Sequence, residues 1–241
     1  MLKITSTKTD IIQIASRKLN EILTDTLKQK KAILLLLSGG SSLSLVENID
    51  TSNFSKAITI GVLDERYSDN PQVNNFSLIA QTNFYQKSMS AGANFIDTRI
   101  LSGESSAEPG QRFEDSLKKW REENPEGYIV ITQGIGVDGH TSGIMPFSED
   151  PAKFEKMFND ERWVVAYDAT NIDSHASRVT TTLPFLRSVD ASVLFVCGEE
   201  KKSALARAIN FDGDTAATPA GVIWEMKQVF LFTDLEVSTS R

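Results

Sequence analysis

Tyr128-Ile129-Val130-Ile131-Thr132-Gln133-Gly134-Ile135-Gly136-Val137-Asp138-Gly139-His140-Thr141 begins as a strand and ends as a loop. Tyr128 to Ile131 is a continuous apolar run of the kind that fills a strand buried on both faces. Gly134, Gly136 and Gly139 then give three glycines in six residues, enough for a sharp turn and a close backbone approach to a ligand. Asp138 and His140 stand two residues apart at the tip. An imidazole delivered on a tight turn after a buried strand suits acid–base chemistry near neutral pH.

The same grammar recurs on both sides of this segment. Ala32 to Leu37 is an apolar run followed by Ser38-Gly39-Gly40-Ser41-Ser42, and Ala57 to Leu63 is another followed by Asp64-Glu65-Arg66. Trp163 to Tyr167, Arg178 to Thr182, Ser192 to Cys197 and Val229 to Phe232 are further strand candidates. Residues 7–29 place Ile11, Ile12, Ile14, Ala15, Leu19, Ile22, Leu23 and Leu27 at helical spacing. Residues 75–85, 108–122 and 201–209 also read as helices, with another starting near Ser42. Alternating strands and helices predict an α/β fold of three layers: a mostly parallel, Rossmann-like central sheet with helices on both faces. Residues 1–241 are expected to form a single domain, with 101–110 and 210–221 as surface loops. In such sheets ligands bind beyond the carboxyl ends of the strands, which here means 38–42, 64–68, 134–142 and 198–201.

Bulk composition narrows the function. The 241 residues are 40% hydrophobic, enough for one sizeable core. No apolar run approaches the roughly 20 residues that span a bilayer, and Met1 to Thr5 lacks the apolar stretch of a secretory signal. Cys197, the single cysteine, precludes an internal disulfide and fits a reducing compartment, so the expected location is the cytoplasm. Lys plus Arg total 25 against 32 for Asp plus Glu, a net charge of −7 that argues against nucleic acid as the main partner. An anionic small substrate would need a local cluster of cations.

Several familiar signatures fail in detail. Gly134-x-Gly136-x-x-Gly139 matches the spacing of a dinucleotide-binding fingerprint, but Gly143 and Pro146 interrupt the long helix that fingerprint requires. Ser38-Gly39-Gly40-Ser41-Ser42 lacks the Gly-Lys-Ser/Thr of a nucleotide-binding P-loop; it reads equally as an anion site at a helix start or as a plain capped loop. No Ser lies in a G-x-S-x-G elbow. Cys197 reads as core and His175 as surface, and two distant histidines with one cysteine argue against a transition-metal site. Asp64-Glu65-Arg66 alone would be a solvated charge cluster, and Arg178 and Lys201 alone would be surface cations. Together, Arg66, Arg178 and Lys201 supply three cations from distant stretches, and Arg66 could fork two N–H bonds onto a phosphate.

In this order the segments resemble the 6-phosphogluconolactonase family, part of a wider group with the glucosamine-6-phosphate isomerases/deaminases. The resemblance runs from about Leu34 to Leu205. Gly134 to Pro146 is similar to G-x-G-x-D-G-H-T-A-S-L-F-P, Leu37 to Ser42 to L-S-G-G-S-T-P, and Asp64-Glu65-Arg66 to D-E-R. Asn75-Phe76 is similar to S-N-Y, Arg178 to Thr182 to R-V-T-L-T, and Gly198 to Lys201 to G-x-x-K. Leu43 stands where the family has Pro, the segment before Arg178 lacks the family's prolines, and a spacing one residue short leaves Asn74 or Asn75 as the site asparagine.

The resemblance implies hydrolysis of 6-phospho-D-glucono-1,5-lactone to 6-phosphogluconate without metal or organic cofactor. It implies His140 as the base for water and then the acid for the ring oxygen, with Asp138 orienting or polarising it or contacting a sugar hydroxyl. Gly39, Gly40 and Ser41 would hold the oxyanion or sugar. Arg66, Arg178 and Lys201 would grip the phosphate, with Asp64, Asn75 and Gly136 completing the substrate site. A monomer or weak dimer acting on a small phosphorylated lactone, away from nucleic acid and membranes, is the expected setting. The main alternative is an amino-sugar-phosphate isomerase/deaminase with Asp64 as base, although that branch carries D-E-Y where this chain has Arg66. A sugar-phosphate-sensing regulator is a third reading, disfavoured because residues 1–31 hold one helix and no helix-turn-helix.

Overall fold

The computed structural model describes residues 1–68, 70–101, 103–105, 108–169 and 177–238. His175, expected at the surface, lies outside the described residues.

Seven strands form one parallel sheet: β1 (Leu2–Ser6), β2 (Ile33–Leu37), β3 (Ile58–Val62), β5 (Asn94–Phe95), β6 (Tyr128–Gln133), β9 (Ala191–Val196) and β10 (Val229–Thr233). Their spatial order is β1-β10-β9-β6-β2-β3-β5. Along β2 every side chain is buried, and successive residues serve opposite faces. Leu34 and Leu36 join one core with Ile129 and Ile131, while Ile33, Leu35 and Leu37 join the other with Val130. Each fully buried side chain of this size contributes about 1.5–3 kcal/mol relative to exposure. The unbroken apolar run is what a strand covered by helices on both sides needs.

The helices divide accordingly. α1 (Ile11–Lys28) packs Ala15, Leu19 and Leu23 on one face, joined by Phe76 of α2 (Asn75–Ala80) and Phe84 of α3 (Asn83–Ser90). On the other face lie α4 (Glu108–Glu123), α5 (Pro151–Phe158), α6 (Leu183–Ser188) and α7 (Lys202–Ile209). α5 starts where Asp150 accepts the Lys153 N–H at 3.0 Å and Pro151 occupies the first turn.

The remaining strands depart from the sequence reading. β4 (Asp64–Arg66), β7 (Val164–Asp168) and β8 (Ser177–Thr181) do not join the large sheet; they form a separate three-stranded antiparallel one, ordered β4-β8-β7. β8 pairs with β4 so that Arg66 faces Arg178 and Asp64 faces Thr180. β1 was not expected, and residues 75–85 form two helices rather than one, split where Thr82 accepts the Tyr85 N–H at 3.2 Å. The helix expected near Ser42 is a 3-10 segment, Gly40–Asn48. The surface loop expected at 210–221 holds only in part: Asn210 and Asp212 to Asp214 are exposed, but Pro219–Trp224 form a 3-10 turn with Pro219 to Ile223 buried. Of 101–110, Glu108 to Gly110 already belong to α4, with Pro109 and Gly110 buried. Cys197 lies just past β9 and is half-buried rather than core.

The strand order creates the crevice. From β2 the chain moves outward to β3 and β5, then returns to place β6 on β2's other side and continues to β9 and β10, while β1, the first strand in the chain, lies beyond β10. The loops leaving β2 and β6 therefore diverge, and a cleft opens between them at the carboxyl edge, where open α/β sheets bind ligands. No helix among the described residues is long and apolar enough to cross a membrane.

Candidate active site

A cavity of about 440 Å³ occupies that cleft. Every residue nominated from the sequence lines it: Gly39, Gly40, Ser41, Asp64, Arg66, Asn75, Gly136, Asp138, His140, Arg178 and Lys201. They come from the loops after β2 and β6, from β4 and β8, from the start of α2, and from the 3-10 turn Glu199–Lys201 after β9.

The loop after β6 is folded around its own hydrogen bonds. Gly136 N–H donates to His140 O at 2.9 Å and Gly139 N–H to Gly136 O at 3.0 Å. A Cβ on Gly136 would stand 2.2 Å from His140 Cε1 and Nδ1 and 2.7 Å from Asp138 Oδ1, so any other residue would displace the His140–Asp138 pair. The Thr141 hydroxyl donates to Gly134 O at 2.9 Å and accepts from Gln133 Nε2 at 2.7 Å, and Gln133 Oε1 accepts from the Ser192 hydroxyl at 2.9 Å. From outside, Arg207 Nη2 donates to Asp138 O at 3.0 Å.

Within this frame His140 Nδ1 lies 2.6 Å from Asp138 Oδ1, and the His140 backbone N–H donates to the same oxygen at 3.0 Å. Burial opposes the charged form of Asp138, yet the hydrogen bonds and charge of His140 hold its carboxyl below the ordinary value. An ionised aspartate on Nδ1 fixes the proton there and leaves Nε2 as the ring's acceptor. The imidazole side chain is 32% exposed, open enough to exchange protons with water or a ligand.

Three cations line the same cavity. Arg66 and Arg178 are direct cross-strand neighbours, an arrangement that like charges disfavour unless an anion lies between them. Arg178 Nη1 lies 3.6 Å from Asp64 Oδ2, with both side chains 6% exposed. Burial raises the Asp64 carboxyl pKa, against the pull of Arg178, His140 and Arg66. Lys201 Nζ donates to Ser41 Oγ at 3.0 Å, and burial lowers its ammonium pKa although Glu200 and Cys197 act the other way. Burial also pushes the neighbouring Cys197 thiol up to about 11, leaving it protonated.

Asn75, not Asn74, is the asparagine at the cavity. Its Nδ2 donates to Asp64 O at 2.9 Å, whereas the Asn74 side chain caps α2 by accepting the Ser77 N–H at 2.8 Å. Asn75 also packs against Gly39, where a Cβ would stand 2.5 Å from Asn75 Oδ1. Glu65, grouped with Asp64 in the sequence, points away from the cavity and accepts buried hydrogen bonds instead. Ser38, Gly134, Ile135, Val137, Ser142 and Met145 line the cavity without having been nominated. All of them flank the glycine-rich stretches, so adjacency was the available signal; Ser142, at φ 52°, adopts a left-handed backbone that a sequence does not advertise. Among the described residues no group of three or more His, Cys, Asp or Glu side chains is arranged to hold a metal ion.

A parallel sheet whose carboxyl edge carries one cavity lined by a histidine–aspartate pair and three cations is the architecture of an α/β enzyme, with this cavity as its candidate active site. The family model described as glucosamine-6-phosphate isomerases/6-phosphogluconolactonase matches residues 6–232, and the chain belongs to that family. A 6-phosphogluconolactonase of Xylella fastidiosa is 30% identical over 205 residues, covering 82% of this chain and 80% of the relative. A probable 6-phosphogluconolactonase of Dictyostelium discoideum is 26% identical over 192 residues, 76% of each chain. The crystal structure of a 6-phosphogluconolactonase from Shewanella baltica superposes with a TM-score of 0.76 at 23% identity, covering 97% of both chains, and establishes the fold. The relatives from Xylella fastidiosa and Nostoc and the Shewanella baltica structure all bear the name of this hydrolase.

Proposed function

We propose that the chain hydrolyses 6-phospho-D-glucono-1,5-lactone to 6-phosphogluconate, the second step of the oxidative pentose phosphate pathway, as one catalytic unit in the cytoplasm. The observation that carries this reading is the sharing of one cavity by the His140–Asp138 pair and the Arg66, Arg178 and Lys201 cations. A lactone phosphorylated at one end needs both features at a separation set by a single sugar.

With Asp138 on Nδ1, His140 Nε2 takes a proton from water as the water oxygen attacks C1. The tetrahedral intermediate then collapses, breaking the bond from C1 to the ring oxygen, and the imidazolium returns the proton to that oxygen. Such positioned proton transfer contributes roughly 10²–10⁴-fold. Backbone N–H groups of the Gly39–Ser41 segment receive the developing oxyanion. Arg66, Arg178 and Lys201 hold the 6-phosphate, which relieves the repulsion between the facing arginines. Asp64 orients Arg178 and, with Asn75, borders the sugar hydroxyls. An activated ester attacked by water requires neither metal nor organic cofactor.

Freshly prepared lactone, assayed with an excess of 6-phosphogluconate dehydrogenase and corrected for spontaneous ring opening, tests the reading. Enzyme-dependent acceleration is expected. Ammonia release from glucosamine 6-phosphate, without lactone hydrolysis, would instead assign the chain to the isomerase/deaminase branch.

A further inference from the structure

Glu65 is 1% exposed and lies on the face of β4 opposite Asp64 and Arg66. Its partners are four hydrogen-bond donors. Oε1 accepts the backbone N–H of Arg66 at 2.7 Å and of Asn75 at 2.6 Å. Oε2 accepts the backbone N–H of Phe76 and the hydroxyl of Thr98, both at 2.9 Å. One carboxylate thus ties the strand carrying Arg66 to the first turn of the helix carrying Asn75. Asn75 extends the tie, donating to Asp64 O and packing on Gly39.

We propose that Glu65, with Thr98, is a positioning residue for substrate binding: it fixes Arg66, Asn75 and, through Asn75, the Gly39 loop at the spacing a phosphorylated sugar requires. The inference rests on the reading of Arg66 as a phosphate ligand. Its chemistry is specific to a carboxylate, because no other side chain of this size offers four acceptor positions on two oxygens. A glutamine keeps one oxygen but turns an N–H₂ group toward a backbone N–H, so an attractive contact becomes a repulsive one. Thr98 completes the unit. Its hydroxyl donates to the carboxylate but can accept from a carboxylic acid, so the four contacts survive uptake of a proton. Buried charge without a cation is costly for folding alone, and the groups it holds are those at the cavity wall.

The test is Glu65→Gln, with Thr98→Val as a milder variant, each measured for kcat, KM and calorimetric binding of 6-phosphogluconate. Small displacements of binding groups carry large kinetic penalties, so Glu65→Gln is expected to raise KM and the product dissociation constant by about tenfold or more. Its kcat should stay within about threefold of the parent. Thr98→Val removes one donor of four and is expected to raise KM roughly two- to tenfold, the range of a single hydrogen bond. Should Glu65→Gln not fold, Thr98→Val decides alone. Lower thermal stability with unchanged KM and product binding, or a loss confined to kcat, overturns the proposal while leaving the functional reading intact. A parent enzyme that neither opens the lactone nor binds the product removes both.

Discussion

The loop after β6 and the β4–β8 ladder line one cavity and are held in place by different means. The loop grows from an apolar strand, is braced by neutral hydrogen bonds through Thr141, Gln133 and Ser192, and presents a partly exposed His140–Asp138 pair. The ladder buries charge, with Asp64, Glu65 and Arg178 all less than a tenth exposed. A proton carrier must remain in contact with water or substrate. A phosphate site gains from keeping water away, because the attraction of its cations strengthens as the local dielectric falls. On the proposed reading the two regions divide the work, turnover in the loop and affinity in the ladder.

The sharpest way to break this division is His140→Ala. It is expected to lower kcat by roughly 10²–10⁴-fold while binding of 6-phosphogluconate, measured by calorimetry, stays close to that of the parent. Loss of product binding instead would show that the two regions are not separable. Leu35→Ala tests the scaffold. This residue is wholly buried in β2, and its truncation should lower unfolding free energy by about 2–5 kcal/mol, with kcat and KM of the folded enzyme unchanged. Arg66→Ala sharpens the other side. Loss of charged hydrogen bonds worth about 1.5–3 kcal/mol should raise KM by roughly tenfold to a hundredfold, with a smaller change in kcat. Inorganic phosphate should correspondingly inhibit the parent more than the variant.

The smallest expected effect is on stability against pH. Burial raises the Glu65 carboxyl from 4.5 to about 7, overcoming its hydrogen bonds. Between those values the folded chain keeps a proton that the unfolded chain has released, so this group's contribution to stability is present below 4.5 and declines as pH rises to about 7. Burial shifts Asp64 in the same direction. Melting temperature should therefore fall by a few degrees from pH 5 to pH 8 on this account. Glu65→Gln should flatten that slope, and an identical slope in parent and variant would separate it from the small sheet.

What was readable in the sequence follows the same division. β2, β3, β6, β9 and β10 announced themselves because strands covered on both faces must be apolar throughout. β1 did not, because an edge strand in which only Leu2 and Ile4 are part-buried leaves too faint a pattern. β7 and β8 were legible as strands but not by partner, since antiparallel pairing with β4 depends on contacts remote in sequence. The small residues of 210–221 suggested exposure, whereas those from Pro219 onward serve close packing. At the cavity the glycine, Asp-Glu-Arg and Asp-Gly-His stretches could be read directly. The different duties of Asp64 and Glu65, and of Asn74 and Asn75, could not. Neighbours in a strand point to opposite sides, and a cap differs from a cavity residue by one step of helix rotation.

The tight fit around Gly136 also bears on how such a protein can diversify. Any side chain there collides with the His140 ring and crowds the Asp138 carboxylate. Point mutation therefore has no gradual route for remodelling this loop. Val137, at the loop's rim and 59% exposed, meets no such obstacle. Libraries seeking new lactone preferences should randomise the rim and leave the hinge of the loop invariant.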